Sequence, residues 1–485
     1  MTNMTKRFVI SLLLATLLLP CQAQKYKMRF DIPDATADTL YIGYHYREQA
    51  LIIDSAVRQD KPVGSARYGV YTFMGNKQWE TGMYTIFERG AKKTMMDFTI
   101  DGSQQFTIVT TPTYGVANPE KDIKGSEANK VMFLYNNRIA EARKQAREID
   151  ERKKSTNPEV RRKAEKEMDE LSAQMIEWEE NYIKKNKNYR FFQLLDMFRG
   201  PIVPDEVEDK PYYYRNHYWD DVDLSDHSLL YTWELFNKMN YFFFGVLFDA
   251  DCDTICKYAD RLFHSIESDT VMLRYFLDYI LPRYYRSTKK IGWDAVWCHL
   301  VREFYLSGIC TWASAADLQN KRQTVEFLEQ SLIGAKGQEL FMADTNQSTD
   351  PKDWISSHRF PQRYVILWFW DPDCHHCQEQ TETLKELYDS LSAAGNKFFE
   401  VYAVGYEADV VKWKKYVREH NLPFVNVGGQ NVNIDYQVAY NVHGAPTMII
   451  LNEERRIIMN KVLPTKAILP FFKKYEEQQR AKRQH

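Results

Sequence analysis

Val365-Ile366-Leu367-Trp368-Phe369-Trp370-Asp371-Pro372-Asp373-Cys374-His375-His376-Cys377 decides how this chain is read. Its apolar half is a continuous run of strand-forming residues, the pattern of a buried strand. Asp371-Pro372-Asp373 ends the run in a turn. An amphipathic stretch follows, with Leu384, Leu387, Tyr388 and Leu391 on one helical face. Two cysteines separated by two residues, where a strand passes into a helix, are the spacing of a dithiol exchange site.

The thiolate is the attacking species in disulfide exchange, and a helix N-terminus favours that anion. Cys374 lies at the expected helix start and is the expected low-pKa nucleophile. Cys377, one turn further in, is expected to resolve the mixed disulfide. His376 can place positive charge or a donor near the Cys374 sulfur, which would make the disulfide more oxidising. His375 is expected to face solvent.

Around this stretch the order is strand, helix, strand, helix, strand, strand, helix. Tyr364 to Trp370 and Phe399 to Gly405 read as strands, Glu379 to Ala394 and Val410 to His420 as helices. Thr447 to Leu451 and Ile457 to Leu463 read as a hairpin, and Thr465 to Arg480 as a last helix. A βαβ unit followed by a hairpin and helix makes one α/β domain.

Three features together resemble the thioredoxin superfamily: Trp370 at a strand end four residues before Cys374, the Cys374-x-x-Cys377 pair, and Gly444-Ala445-Pro446-Thr447 before a later strand. The resemblance covers about Leu332 to Arg480. It implies a cis Pro446 facing the dithiol, with Ala445 and Pro446 meeting substrate beside Trp370. It is closest to exported thiol-disulfide oxidoreductases. The wider layout is similar to multidomain thioredoxin-like proteins of Bacteroidetes, on Gly125-Ser126-Glu127-Ala128-Asn129, Tyr214-Arg215-Asn216-His217-Tyr218 and Asp371-Pro372-Asp373-Cys374. Trp368 departs from the family by standing where thioredoxin has a buried aspartate. Asp373 and Gln380 replace a tryptophan and a glutamate of relatives.

The rest of the 485 residues makes a multidomain chain. Residues 24–118 read as a β-sandwich, on the alternation of Tyr26, Met28, Phe30 and Ile32 and on Phe98-Thr99-Ile100 and Phe106-Thr107-Ile108-Val109 flanking the Asp101-Gly102-Ser103 turn. Residues 119–331 read as an all-α domain. In it Asn157-Pro158 starts a helix striped by Val160, Ala164, Met168, Leu171, Met175, Trp178 and Tyr182, the pattern of an antiparallel helical hairpin. Neither domain carries a catalytic motif. Together they are expected to restrict client access to the C-terminal thioredoxin-like redox domain, residues 332–485.

Lys6 and Arg7 precede an apolar run from Phe8 to Leu19, then Pro20-Cys21-Gln22-Ala23. This is a secretory signal over residues 1–23, placing the protein in the periplasm or cell envelope. A lipidated Cys21 is the rival reading and would add membrane association, although Pro20 stands where a lipobox has Gly, Ala or Ser. A net charge of -2 excludes a nucleic-acid binder of the usual basic kind.

The expected partners are protein thiols or disulfides and a membrane or periplasmic electron donor, with no cofactor and no metal. Zinc held by Cys374, His375, His376 and Cys377 would need ligands from well-separated pairs. A peroxidase lacks its proline and threonine spacing ahead of Cys374. A redox-inert binding protein is the alternative from another class. Cys252, Cys256, Cys298 and Cys310 read as buried thiols.

Overall fold

The computed structural model describes residues 25–63, 66–88, 95–285, 292–406 and 409–484. The signal sequence expected at residues 1–23, with Cys21, lies outside them. No described helix is long and apolar enough to cross a membrane. The chain is multidomain and divides into two compact units, one ending at Phe248 and the other beginning at Asp249.

Among the described residues of the first unit, nine strands form two sheets. They are β1 (Tyr26–Pro33), β2 (Thr39–Tyr46), β3 (Gln49–Val57), β4 (Gln59–Val63), β5 (Ala66–Gly75), β6 (Gly82–Phe87), β7 (Met96–Ile100), β8 (Gln105–Val109) and β9 (Ile123–Lys124). One sheet runs β4-β5-β1-β8-β9 and the other β3-β2-β6-β7. Met28, Phe30 and Ile32 alternate inward from β1 and meet Leu40 and Ile42 of β2 and Phe98 and Ile100 of β7 in one core. The turn at Asp101-Gly102-Ser103 carries the chain from one sheet to the other, with Gly102 at φ 86°. Asn129 ties the first long helix to this sandwich by donating to the carbonyl of Thr99 (2.7 Å) and accepting its N–H (2.9 Å).

Helices Glu127–Lys153 and Pro158–Asn186 form the helical hairpin. The Asn157 side chain accepts the N–H of Glu159 and Pro158 opens the second helix. Tyr135 stacks on Trp178 at 5.7 Å near one end, and Arg152 pairs with Glu167 near the other, so the two helices run antiparallel.

The second unit opens with helices Cys252–Ser265, Thr270–Tyr284, Trp293–Leu300 and Ala315–Glu329. A seven-stranded sheet follows in the order β11-β10-β14-β13-β12-β15-β16. Its strands are β10 (Phe341–Asp344), β11 (Ile355–Ser356), β12 (Tyr364–Trp370), β13 (Phe399–Gly405), β14 (Val425–Val432), β15 (Thr447–Leu451) and β16 (Ile457–Met459).

β12 runs parallel to β13 and antiparallel to β15, and every one of its residues is buried. Tyr364, Ile366, Trp368 and Trp370 face a core shared with helices His375–Ala393, Val410–Glu419 and Thr465–Gln484. Val365, Leu367 and Phe369 face the opposite core, with Tyr402 and Tyr440. The continuous apolar run thus records two covered faces.

Several elements depart from the sequence reading, among them β10 and β11, which precede β12 where the pattern marks no strand. β14 is a full strand, although Gly428-Gly429 interrupts its apolar pattern. The last strand stops at Met459 instead of Leu463, and the helix read from Glu379 begins at His375.

Candidate active site

The turn after β12 is built by its own side chains. The Asp371 carboxylate accepts the N–H of Asp373 (2.8 Å), and the Asp371 carbonyl accepts that of Cys374 (3.1 Å). Pro372 lacks a donor and restricts the backbone at this corner. Gln378 closes the turn from the helix side, its Nε2 donating to the Pro372 carbonyl at 2.6 Å.

The helix then starts with Cys374 as N-cap, in extended geometry at φ -93° and ψ 109°. An oxygen side chain commonly fills that position. Here a sulfur does: Cys374 Sγ accepts the N–H of Cys377 at 3.2 Å. The helix N-terminus therefore directs a backbone donor at this sulfur.

The two cysteines differ in environment. Cys374 is half-buried, while Cys377 is 0% exposed. Burial pushes the Cys377 thiol up to about 12, and its hydrogen bond with Cys374 adds to the rise. The main-chain N–H of Asp371 works the other way, and the Asp371 carboxylate raises the thiol slightly further. A buried, protonated thiol beneath a half-buried sulfur is the asymmetry an attacking and a resolving cysteine require.

Opposite Cys374 stands the loop before β15. The Ala445–Pro446 bond is cis. Thr447 pairs with Phe369 in the β12–β15 register, which brings the loop to the end of β12 where the dithiol turn begins. Cys374 Sγ lies 4.0 Å from the Ala445 carbonyl oxygen. Cys374, Cys377, Ala445 and Pro446 are thus brought together, although some seventy residues separate the two halves of the site.

Trp370 has a different place. Its indole is 0% exposed and packs edge-on against Tyr416 at 5.2 Å, in the core and not on the surface a substrate would reach. Tyr416 stacks on His420, whose imidazole reaches Glu382. His375 and His376 are both exposed, and both turn to Glu379, at 3.4 and 3.6 Å.

Trp368, at the family's aspartate position, donates its indole N–H to the Thr381 hydroxyl at 2.9 Å, with both residues fully buried. The carboxylate whose charge reaches Cys377 is instead Asp371. Sequence reading noted Asp371 only as part of a motif. Its signal was its position directly after the strand. Lys412, from helix Val410–Glu419, pairs with Asp373 at 2.7 Å and completes the rim.

Residues 362–457 match the model of a family described as thioredoxin-like. Residues 152–331 match that of a domain of unknown function, DUF5106. No curated protein matches the chain. Among solved structures, the chain is similar to a thioredoxin-like protein from Bacteroides caccae, at 18% identity over 56% of this chain and 96% of that one, with a TM-score of 0.44. It is similar to a domain of a possible thiol-disulfide isomerase from Cytophaga hutchinsonii, at 26% identity over 31% and 97% of the two chains, with a TM-score of 0.27. It is also similar to the thioredoxin domain of a thiol-disulfide oxidoreductase from Bacteroides vulgatus, at 22% identity over 30% and 96%, with a TM-score of 0.25. The segment matched by the thioredoxin-like model holds the dithiol, the turn that builds it and the cis-proline loop facing it, so this part of the chain is a thioredoxin-like domain.

Proposed function

We propose that the protein is an exported thiol-disulfide oxidoreductase that exchanges disulfides with protein substrates through Cys374 and Cys377. The observation that carries this reading is the N–H of Cys377 held on the Cys374 sulfur, with the Ala445 carbonyl oxygen 4.0 Å from that sulfur. The Lys6-Arg7 and Phe8 to Leu19 pattern supports export. It makes a cell-envelope thiol or disulfide partner the proposed second substrate.

In the reducing direction the Cys374 thiolate attacks one sulfur of a client disulfide. A mixed disulfide forms, and the departing client thiolate takes up a proton. Cys377 then loses its proton and attacks Cys374 Sγ. The second client thiolate leaves and is protonated, and the enzyme is left with a Cys374–Cys377 disulfide. Two electrons have passed to the client. A dithiol donor restores the pair and is itself oxidised. The oxidising direction is the reverse sequence.

Because Cys377 is buried and its thiol raised, its ionisation needs an acceptor in the site. The Asp371 carboxylate, whose charge already reaches that thiol, is the acceptor proposed here. The test is insulin reduction with dithiothreitol as electron source. Wild type should exceed the uncatalysed rate and Cys374→Ser should not. Equal rates for the two proteins would remove the enzymatic reading.

A further inference from the structure

A residue from outside the thioredoxin-like segment packs on the loop that leads to the cis proline facing the dithiol. Helix Ala315–Glu329 is capped by Ser314, whose hydroxyl accepts the N–H of Asp317, and it buries Val325 and Leu328. Between those anchors Phe327 is only half-buried. Its ring lies on His443, with centroids 5.4 Å apart. His443 is exposed, and its Nε2 meets the Asn441 side-chain oxygen at 2.5 Å. Asn441 itself is left-handed at φ 53°, so the imidazole is held at the head of the loop that leads to Ala445.

Further contacts tie the helical segment to the same domain. Asn460 donates to the Ser331 carbonyl at 3.0 Å, Gln338 to Gln330 at 3.2 Å, and Lys461 lies 3.7 Å from the buried Asp294 carboxylate. Phe327 is therefore held fixed on the domain that carries the dithiol.

A chain that offers a disulfide to Cys374 passes Ala445, whose carbonyl is 4.0 Å from the sulfur. His443 stands two residues before it, at most about 7 Å along the backbone. A protein client consequently meets Phe327 and His443 with a side chain about two residues from its reacting cysteine. A small disulfide does not extend that far.

We propose that Phe327 is a selectivity residue of the dithiol site. With His443 it forms an apolar shelf for the client side chain next to the exchanged disulfide. The shelf favours an aliphatic or aromatic side chain there, since an aromatic ring buries large apolar area at low entropic cost. This rests on the reading of Cys374 and Cys377 as an exchange site.

The test uses the full chain with dithiothreitol as electron source and two substrates, insulin and bis(2-hydroxyethyl) disulfide. Phe327→Ala should raise the KM for insulin about fivefold, leaving its kcat and the small-disulfide rate unchanged. Phe327→Tyr, which keeps the ring, should stay within about twofold of wild type on both. An unchanged insulin KM in Phe327→Ala would overturn the proposal. So would equal losses on the two substrates, the mark of a general structural defect. If wild type did not exceed Cys374→Ser on the small disulfide, the exchange reading itself would fail, and the shelf with it.

Discussion

The backbone N–H of Cys377 points at the sulfur of Cys374 across 3.2 Å, so one cysteine caps the helix that carries the other. In the proposed exchange, the residue that resolves the mixed disulfide therefore also supplies a donor to the residue that starts it. The same helix buries Cys377 completely and leaves Cys374 half open.

His376 and Glu379 should set the redox poise together. His376 lies 3.6 Å from the Glu379 carboxylate, which competes for its charge. Removing the imidazole in His376→Ala should lower the reduction potential of the pair by about 15–30 mV, a few-fold to tenfold in the exchange equilibrium. Glu379→Gln should move it the opposite way. Redox titration against glutathione reads both. Equal potentials in all three proteins would show that the histidine takes no part.

Asp371→Asn should slow resolution of the mixed disulfide by at least about tenfold, because the proposed proton acceptor is gone. Stopped-flow measurement of the second step reads this directly. If the carboxylate only repelled the Cys377 thiolate, the variant would resolve faster than wild type.

Thr381→Val should cost about 1–3 kcal/mol of stability, because it strands the fully buried indole N–H of Trp368 that now donates to the Thr381 hydroxyl. Urea denaturation gives the value. Insulin reduction by the folded variant should be unchanged, since the pair lies in the core behind the dithiol.

Alkaline pH should destabilise the second unit through Cys298, which is 3% exposed and whose thiol burial pushes up from an ordinary 9.0 to about 12. A raised thiol holds its proton in the folded state after the unfolded chain has released it. Its stabilising contribution is therefore full below the unfolded value and is lost as pH rises from there toward 12. The urea midpoint should fall between about pH 7 and about pH 10, and Cys298→Ala should show the smaller fall. Identical falls would assign the effect to other groups.

The central strand and the dithiol were legible because local pattern dictates them. β12 is an unbroken apolar run and is buried on both faces, and Cys374 falls where that run turns into a helix. The helical hairpin was legible for the same reason, since Asn157-Pro158 and the apolar stripe act within one helix.

What was not legible depends on long-range packing. β14 carries Gly428 and Asn431 within its span and owes its existence to parallel pairing with β13. The burial of Trp370 follows from Tyr416, on a helix that chain order alone does not place beneath it. Phe327 and His443 meet across more than a hundred residues, with no shared motif to announce it. In the first unit, alternation marked β1, while β3, β4, β6 and β9 carry no such mark. That β1 lies between β5 and β8, pairing in parallel with β8, appears only in the folded chain.

Trapping tests the central claim most directly. Cys377→Ser and Cys374→Ser would each be mixed, reduced, with a disulfide-bonded protein client and analysed by non-reducing mass spectrometry. The account predicts a stable mixed disulfide joining Cys374 of the Cys377→Ser variant to the client, and no adduct on Cys377 in the Cys374→Ser variant. An adduct on Cys377, or no adduct on either protein, would contradict it.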